Sequence, residues 1–149
     1  MAISPNTDFT AGAVLTASQQ NRFPRGVVSY VEHTANVGFT TETTIMTAPA
    51  FTAVANRYYK ITFFEPSLSN TTIGTSTLKI KQGATIIQQG IVANVAATTG
   101  YAGSISTIET FTAGTINNIT ATAQSSATGS AQATTSSPGY LLIEDIGPA

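Results

Sequence analysis

Cysteine is absent from the 149-residue sequence, and so are tryptophan and any long apolar run. Without cysteine the chain forms neither disulfides nor thiolate metal sites, so packing and hydrogen bonds must hold the fold together. No apolar stretch approaches the roughly 20 residues of a transmembrane helix, and the opening MAISPNTDF has neither the basic nor the apolar region of a secretory signal. We therefore expect neither membrane insertion nor export through such a signal.

Charged residues are scarce, at 9% of the chain against about 25% in ordinary soluble domains. Lys and Arg number six, Asp and Glu number seven, and no basic run occurs, which argues against a nucleic-acid-binding surface. Threonine, serine, asparagine and glutamine take the place of the missing charges. Because a near-neutral surface does little to keep copies apart, the composition favours a subunit that is packed in an assembly.

Residues that carry catalysis or bind metals are few and dispersed. The single histidine, His33, has no convincing catalytic partners, so we expect it to be a surface or edge residue and not a catalytic base. Glu144 and Asp145 are adjacent, but neighbouring side chains of a strand point to opposite faces and do not chelate one ion together. No glycine-rich phosphate-binding motif is present. The sequence therefore predicts no enzyme activity, no metal site and no cofactor.

From Gly26 onward the chain alternates between apolar and polar residues and is rich in the β-branched and aromatic residues that favour strands. The candidate strands cover residues 26–34, 39–47, 51–57, 58–66, 76–82, 84–93, 104–113, 116–124 and 140–146. Short strands at this regular spacing are typical of antiparallel sandwiches. We predict an all-β fold, a jelly-roll-like antiparallel β-sandwich of about eight strands.

The same alternation predicts the core residues and the turns. Residues expected to face the core are Tyr59, Ile61, Phe63, Leu78, Ile80, Leu141 and Ile143. Tyr58 and Phe64 fall on the opposite face, where the two alternatives are a binding surface and a buried subunit contact, and the second is favoured. Tight turns are predicted at residues 81–84 and 113–115.

The two ends of the chain are predicted to differ in structure. Residues 1–25 form an N-terminal arm with one short helix capped by Thr16 or Ser18, and residues 26–149 form the β-sandwich domain. The segment 140–146 is the closing strand, and the proline of Gly147-Pro148 is expected to stop its pairing. Glu144 and Asp145 then lie at a strand end, where solvent, Arg22 or Arg25 can meet them.

One internal segment leaves two interpretations open. Residues 125–139 consist of small and polar residues with no large apolar side chain. Such a composition is typical of a flexible loop. Because the segment lies between two predicted strands, a long hairpin or an edge strand of small residues is equally compatible with it.

Three stretches together resemble small virion proteins of tailed bacteriophages: DFTAGAVLTASQQNRFPRGVVSY (8–30), FTAVANRYYKITF (51–63) and SPGYLLIEDIGPA (137–149). Proteins of this kind are capsid decoration, head-fibre or minor tail components. The resemblance implies an N-terminal arm that ends at residues 23–26, followed by a β-sandwich that usually trimerises. It also implies a strand pair joined at Asn56-Arg57, and it brings no catalytic residues.

On this resemblance we expect a capsid decoration, or cement, protein of the virion surface that binds the major capsid protein as a homotrimer and strengthens the shell. The residues expected to contact the shell or a neighbouring copy belong to the arm and are Phe9, Leu15, Arg22, Phe23 and Arg25. The alternative is a tail or fibre protein that binds the host surface. In that case loop aromatics such as Tyr101 would touch glycan.

Overall fold

The structure is a computed structural model that describes residues 14, 16–21 and 23–149. Within this part of the chain the only helix is the four-residue α1 (Ala17–Gln20), and no helix has the length and apolar character needed to cross a membrane. The strands are β1 (Gly26–His33), β2 (Val37–Phe39), β3 (Thr43–Thr47), β4 (Phe51–Ala53), β5 (Arg57–Asn70), β6 (Gly74–Gln82), β7 (Thr85–Asn94), β8 (Tyr101–Thr110), β9 (Gly114–Ile116), β10 (Ile119–Ser125), β11 (Gly129–Ala131) and β12 (Gly139–Pro148).

The first sheet is antiparallel and is organised around β5 and β12. Strand β12 pairs with β1 on one side and with β5 on the other, and β8 pairs with the opposite edge of β5. Because β5 is 14 residues long, its last residues extend beyond β12 and pair with β11, which in turn pairs with β2. Strand β12 is therefore an interior strand of this sheet, with β1 on one side and β5 on the other.

The second sheet has the order β3-β10-β6-β7 and is also antiparallel. The two sheets approach each other at both sides. At one side the Ser29 hydroxyl of β1 donates to the carbonyl of Pro49 at 2.7 Å, and at the other the Gln88 amide of β7 donates to the carbonyl of Ser106 in β8 at 3.0 Å. Strands β4 and β9 form a separate two-stranded ribbon.

The hydrophobic core lies between the two sheets. Its members with essentially no exposed surface include Tyr59, Ile61, Phe63, Leu68, Leu78, Ile80, Ile119, Leu141 and Ile143. All seven residues that the alternation assigned to the core are among them. At the end near the β4/β9 ribbon, Phe51 and Phe111 pack against Tyr59, with ring centroids 5.7 and 5.4 Å from it. The prediction of an all-β antiparallel sandwich is confirmed, and the jelly-roll connectivity stays a prediction.

Strand limits differ from prediction where the chain changes partner. The predicted strand 39–47 is broken at residues 40–42, because Phe39 pairs with Gly129 in the first sheet while β3 pairs with β10 in the second. The strand pair implied at Asn56-Arg57 is wrong, since β4 pairs with β9 and not with β5. The described chain therefore contains twelve strands, several of only three residues, instead of about eight.

The predicted turns had different outcomes. The first is confirmed: Gln82 pairs with Thr85 across a two-residue turn, and Gly83 has the positive φ of 58° that such turns need. The second is wrong, because Gly114 begins β9 and pairs with Ala53. Within the segment 125–139, β11 lies between β5 and β2, so the segment contains an interior strand and is neither an edge nor wholly a loop.

Strand β12 continues through Pro148, contrary to the expected stop at Gly147-Pro148. A register shift between Asp145 and Gly147 lets the last two residues pair with the start of β5, and Gly147 has a φ of 122° that side chains disfavour. The pairing with β1 begins only at Asp145, so Pro148 faces no partner on that side and its missing N–H costs little.

Candidate functional site

The described part of the chain includes two of the five predicted contact residues. Phe23 and Arg25 are exposed and lie between α1 and β1, while Phe9, Leu15 and Arg22 lie outside the described residues. The backbone N–H of Arg25 donates to the carbonyl of Asp145 at 3.2 Å, so the arm joins the sandwich beside the end of β12.

Most of the described residues before Arg25 are exposed. Thr16 caps α1: its hydroxyl accepts the N–H of Gln19 at 3.2 Å, and the Gln19 side chain accepts the N–H of Thr16 at 2.9 Å. This confirms one of the two predicted caps. Val14 is nevertheless 90% exposed, and Thr16 and Ala17 are also exposed. These residues add little to the core, so their apolar surface remains available to another chain.

A buried ion pair holds the base of the arm. The Arg57 guanidinium donates two hydrogen bonds to the Asp145 carboxylate, from Nε to Oδ2 at 2.5 Å and from Nη2 to Oδ1 at 2.7 Å. The same guanidinium donates to the carbonyls of Asn21 and Phe23, at 2.5 and 2.6 Å. The N–H of Gly147 also donates to Oδ1 of Asp145 at 3.1 Å. One arginine therefore links the arm, β5 and β12.

This geometry corrects the prediction for Asp145. We expected a strand-end carboxylate in solvent or beside Arg22 or Arg25, but Asp145 is buried and its side chain binds Arg57. The physical reason is the alternation itself: Asp145 is two residues after Ile143, so its side chain points into the sandwich and must find a buried cation. Glu144 faces the opposite side, as predicted.

A second buried pair joins β1 to β5. Only 11% of the His33 side chain is exposed, and its Nε2 lies 2.7 Å from Oε2 of Glu65, which is fully buried. His33 was expected at the surface or at an edge: it lies on the edge strand β1, but its ring points inward. Its Nδ1 lies 3.0 Å from the carbonyl of Ala35. A carbonyl only accepts, so Nδ1 carries a hydrogen.

The tautomer determines how many protons the pair holds. Since Nδ1 of His33 is protonated, the short contact to Glu65 needs one further proton, either on the carboxyl or on Nε2. Burial raises the pKa of Glu65, and the hydrogen bond with His33 offsets only part of this rise. The other carboxyl oxygen, Oε1, is buried without a hydrogen-bond partner among the described residues. The pair is therefore sensitive to the loss of its proton.

The outer face of the first sheet carries aromatic and aliphatic residues where a solvated sheet would carry polar ones. We define this outer aromatic face by ten outward side chains of β1, β5, β8 and β12: Tyr30, Glu32, Tyr58, Lys60, Thr62, Phe64, Ile108, Tyr140, Leu142 and Glu144. At its β8 edge the polar residues Ser104, Ser106 and Thr110 also point outward. The ring of Tyr140 lies 5.3 Å from that of Phe64 and 6.3 Å from that of Tyr30. Tyr30 is 46% exposed and Ile108 is 55% exposed.

The outer face of the second sheet has a different chemistry. Strands β6 and β10 present threonines, lysines and a glutamine there, and Glu42 accepts hydrogen bonds from Lys79 at 2.5 Å and from Lys81 at 2.6 Å. The hydrogen bonds from these two lysines lower the pKa of Glu42 to about 2. Apolar exposure on this sheet is concentrated on the edge strand β7, at Ile86 and Ile91.

A buried polar cluster joins the sheets where β5 ends. Asn94 donates to the carbonyl of Leu68 at 2.7 Å and accepts from Asn70 at 3.1 Å, while the Ser125 hydroxyl donates to Asn70 at 2.7 Å. These side chains satisfy one another, so the cluster is structural. Nearby, Tyr101 begins β8 and is half-buried, which is contrary to the expected loop aromatic.

The described residues contain no group of three or more histidines, aspartates or glutamates that could hold a metal ion. The features that the structure does bring together are the anchored arm, the two buried ion pairs and the outer aromatic face. The chain matches no protein-family model, and no curated protein shows significant sequence similarity to it.

Proposed function

We propose that this chain is a structural protein of a tailed-bacteriophage virion, and specifically a capsid decoration protein that binds the major capsid protein. The resemblance of its two ends and its middle stretch to such proteins supports this proposal, as does a composition with only 9% charged residues. In this role, copies of the chain form a homotrimer on the shell.

The observation that carries the proposal is the arm with its buried anchor. The arm exposes apolar side chains at Val14 and Phe23, yet Arg57 fixes its base to the core through four hydrogen bonds. An arm that is exposed but firmly attached suits a chain that docks on a neighbour, because binding energy gained by the arm is transmitted to a rigid domain.

The mechanism follows from the surface that the protein buries on the shell and from its preference for the closed state of the shell. A decoration protein buries surface on shell subunits in their closed arrangement, so opening the shell must also break these contacts. Binding to one state and not to the other stabilises that state by mass action. A neutral, hydroxyl-rich surface suits this role because it is not repelled by a densely covered shell.

The experiment uses shells of the encoding phage that lack this protein. Purified full-length chain is added, and bound copies per particle are measured by gel densitometry, together with the temperature at which the shells open. We expect copies on the order of hundreds per particle and a higher opening temperature. A few copies or a few tens would instead indicate a tail or fibre protein, and no binding would contradict the proposal.

A shortened chain tests the arm. Deleting residues 1–20 keeps Asn21 and Phe23, whose carbonyls accept hydrogen bonds from Arg57, so the sandwich should still fold. An unchanged melting temperature is the control for folding. We expect bound copies to fall at least tenfold, and unchanged binding would show that residues 1–20 are not the contact.

A further inference from the structure

The outer faces of the two sheets differ in the residues that they present, although both sheets are antiparallel and both cover the same core. Outward positions of a sandwich are ordinarily polar, and those of β6 and β10 follow this rule. On the first sheet the outward positions of β8 are also mainly polar, with Ile108 as an exception, but β1, β5 and β12 place Tyr30, Tyr140 and Phe64 in ring contact, next to Leu142. A contiguous patch of this kind on one face marks an interaction surface.

The register places these side chains in adjoining rows across the sheet. One row runs from Glu32 through Tyr140 and Phe64, and the next contains Tyr30 and Leu142. Aromatic residues in the centre of a patch, with polar residues beside them, are typical of protein interfaces. The Tyr30 hydroxyl donates to Glu32 at 2.9 Å, which holds that ring in place before any partner binds.

The charges on the face indicate what the partner is. The third row places Glu144 directly opposite Lys60, with Ile108 beside Lys60 on β8. The face therefore carries a cation and an anion next to each other, and Glu32 adds a second anion. A partner of one charge sign would be repelled by part of this pattern, whereas an identical face, turned about a symmetry axis, offers a glutamate to each Lys60 and a lysine to each Glu144.

We propose that the outer aromatic face is the surface through which copies of this chain bind one another. The inference rests on the proposed homo-oligomeric subunit and specifies its contact. The aromatic rows supply the apolar centre, and the Lys60 and Glu144 row sets the relative orientation of the copies.

The first test compares molar masses in solution by light scattering. The wild-type chain should elute as a multiple of its 15.4 kDa monomer. The variants Tyr30→Arg and Ile108→Arg should elute as monomers. These monomers should remain folded, with the melting temperature of the dissociated wild-type chain. The matched control is Ile91→Arg, because Ile91 is 67% exposed on the outer face of the second sheet and should tolerate arginine without change in mass.

The second test exchanges the charges. Lys60→Glu and Glu144→Lys should each weaken self-association about tenfold, since each places like charges in contact. Mixing the two single variants places opposite charges across the contact while each chain keeps its own like-charged pair, so the mixture should associate more tightly than either variant alone. A mixture that associates no more tightly than the single variants would overturn the proposed register of the contact.

Several results would overturn the proposal itself. These are a monomeric wild type at about 100 μM, face variants with the mass of the wild type, or an Ile91→Arg variant that dissociates equally. If the wild type is monomeric but Tyr30→Arg loses shell binding, the face binds the capsid protein instead. If the masses behave as expected but no copies bind shells, the self-association surface stands and the capsid role fails.

Discussion

Replacing Arg57 by methionine tests how the arm and the closing strand are held. Methionine keeps much of the apolar stem of arginine and removes its four hydrogen bonds. The carbonyls of Asn21 and Phe23 lie on exposed residues and can bind water instead, so their loss costs little. Asp145 cannot do so, because it is 1% exposed and keeps only the N–H of Gly147 as a partner.

The expected magnitude follows from this difference. Removing one partner of a buried ion pair costs about 3 to 5 kcal/mol, since the remaining charge stays desolvated. For a chain of this length that corresponds to a decrease in Tm of roughly 6 to 20 °C. The double variant Arg57→Met/Asp145→Leu leaves no buried charge and should recover about 1 to 3 kcal/mol of the loss.

The assay is urea unfolding followed by circular dichroism, with the free energies of unfolding compared at one pH. Arg25→Met is the matched control, because Arg25 is exposed and only its backbone contacts Asp145, so its effect should stay within about 0.5 kcal/mol. In Arg57→Met, trypsin should also cleave after Arg25 faster than in the wild type. An Arg57→Met variant within about 1 kcal/mol of the wild type would refute the anchor.

Two further predictions concern pH. Because burial raises the pKa of Glu65, its contribution to stability is fully present below the ordinary glutamate value of about 4.3 and is lost as pH rises through the raised pKa, so the wild type should lose stability as the pH is raised. Glu65→Gln donates to His33 without titrating and should abolish that loss, and a variant as pH-dependent as the wild type would contradict the shared proton. The pKa of Glu42 is lowered to about 2, so its contribution is present above the ordinary value of about 4.3 and lost as pH falls towards 2. Since Glu42 is on the surface, Glu42→Gln should cost at most about 1 kcal/mol at neutral pH and clearly less near pH 2, as measured by urea unfolding in each buffer.

The alternation of apolar and polar residues predicted most strands and the core. Whether a side chain points inward depends on its position within its own strand, so no knowledge of distant contacts is needed. Tyr59, Ile61 and Phe63 were assigned correctly without knowledge of their partners. The short strands β2, β9 and β11 were missed because three residues are too few to show a period. Pairing across the fold was also missed, since nothing local shows that β4 pairs with β9.

The buried ion pairs were missed although a signal for them exists in the sequence. Arg57 is two residues before Tyr59, and Asp145 is two residues after Ile143, so both continue the inward phase of their strands. Glu65 likewise follows Phe63 by two. Charged residues in phase with a core face must find buried partners, but which residue pairs with which depends on contacts such as Arg57 with Asp145, 88 positions apart.

The arm meets the fold at the sheet that carries the outer aromatic face, which connects the proposed self-association with the proposed shell contact. The arm enters the sandwich beside Asp145, and β1 and β12, which lie next to it, also carry part of the face. Copies joined through the face would therefore present several arms from one rigid body. When one arm has bound, the others bind at a high effective concentration, and avidity can exceed the affinity of a single arm by about 10²- to 10⁴-fold. Under the proposed function, a short arm of modest affinity would hold an oligomer on a shell where it would release a monomer, so disrupting the face with Tyr30→Arg should weaken shell binding even though the arm is unchanged.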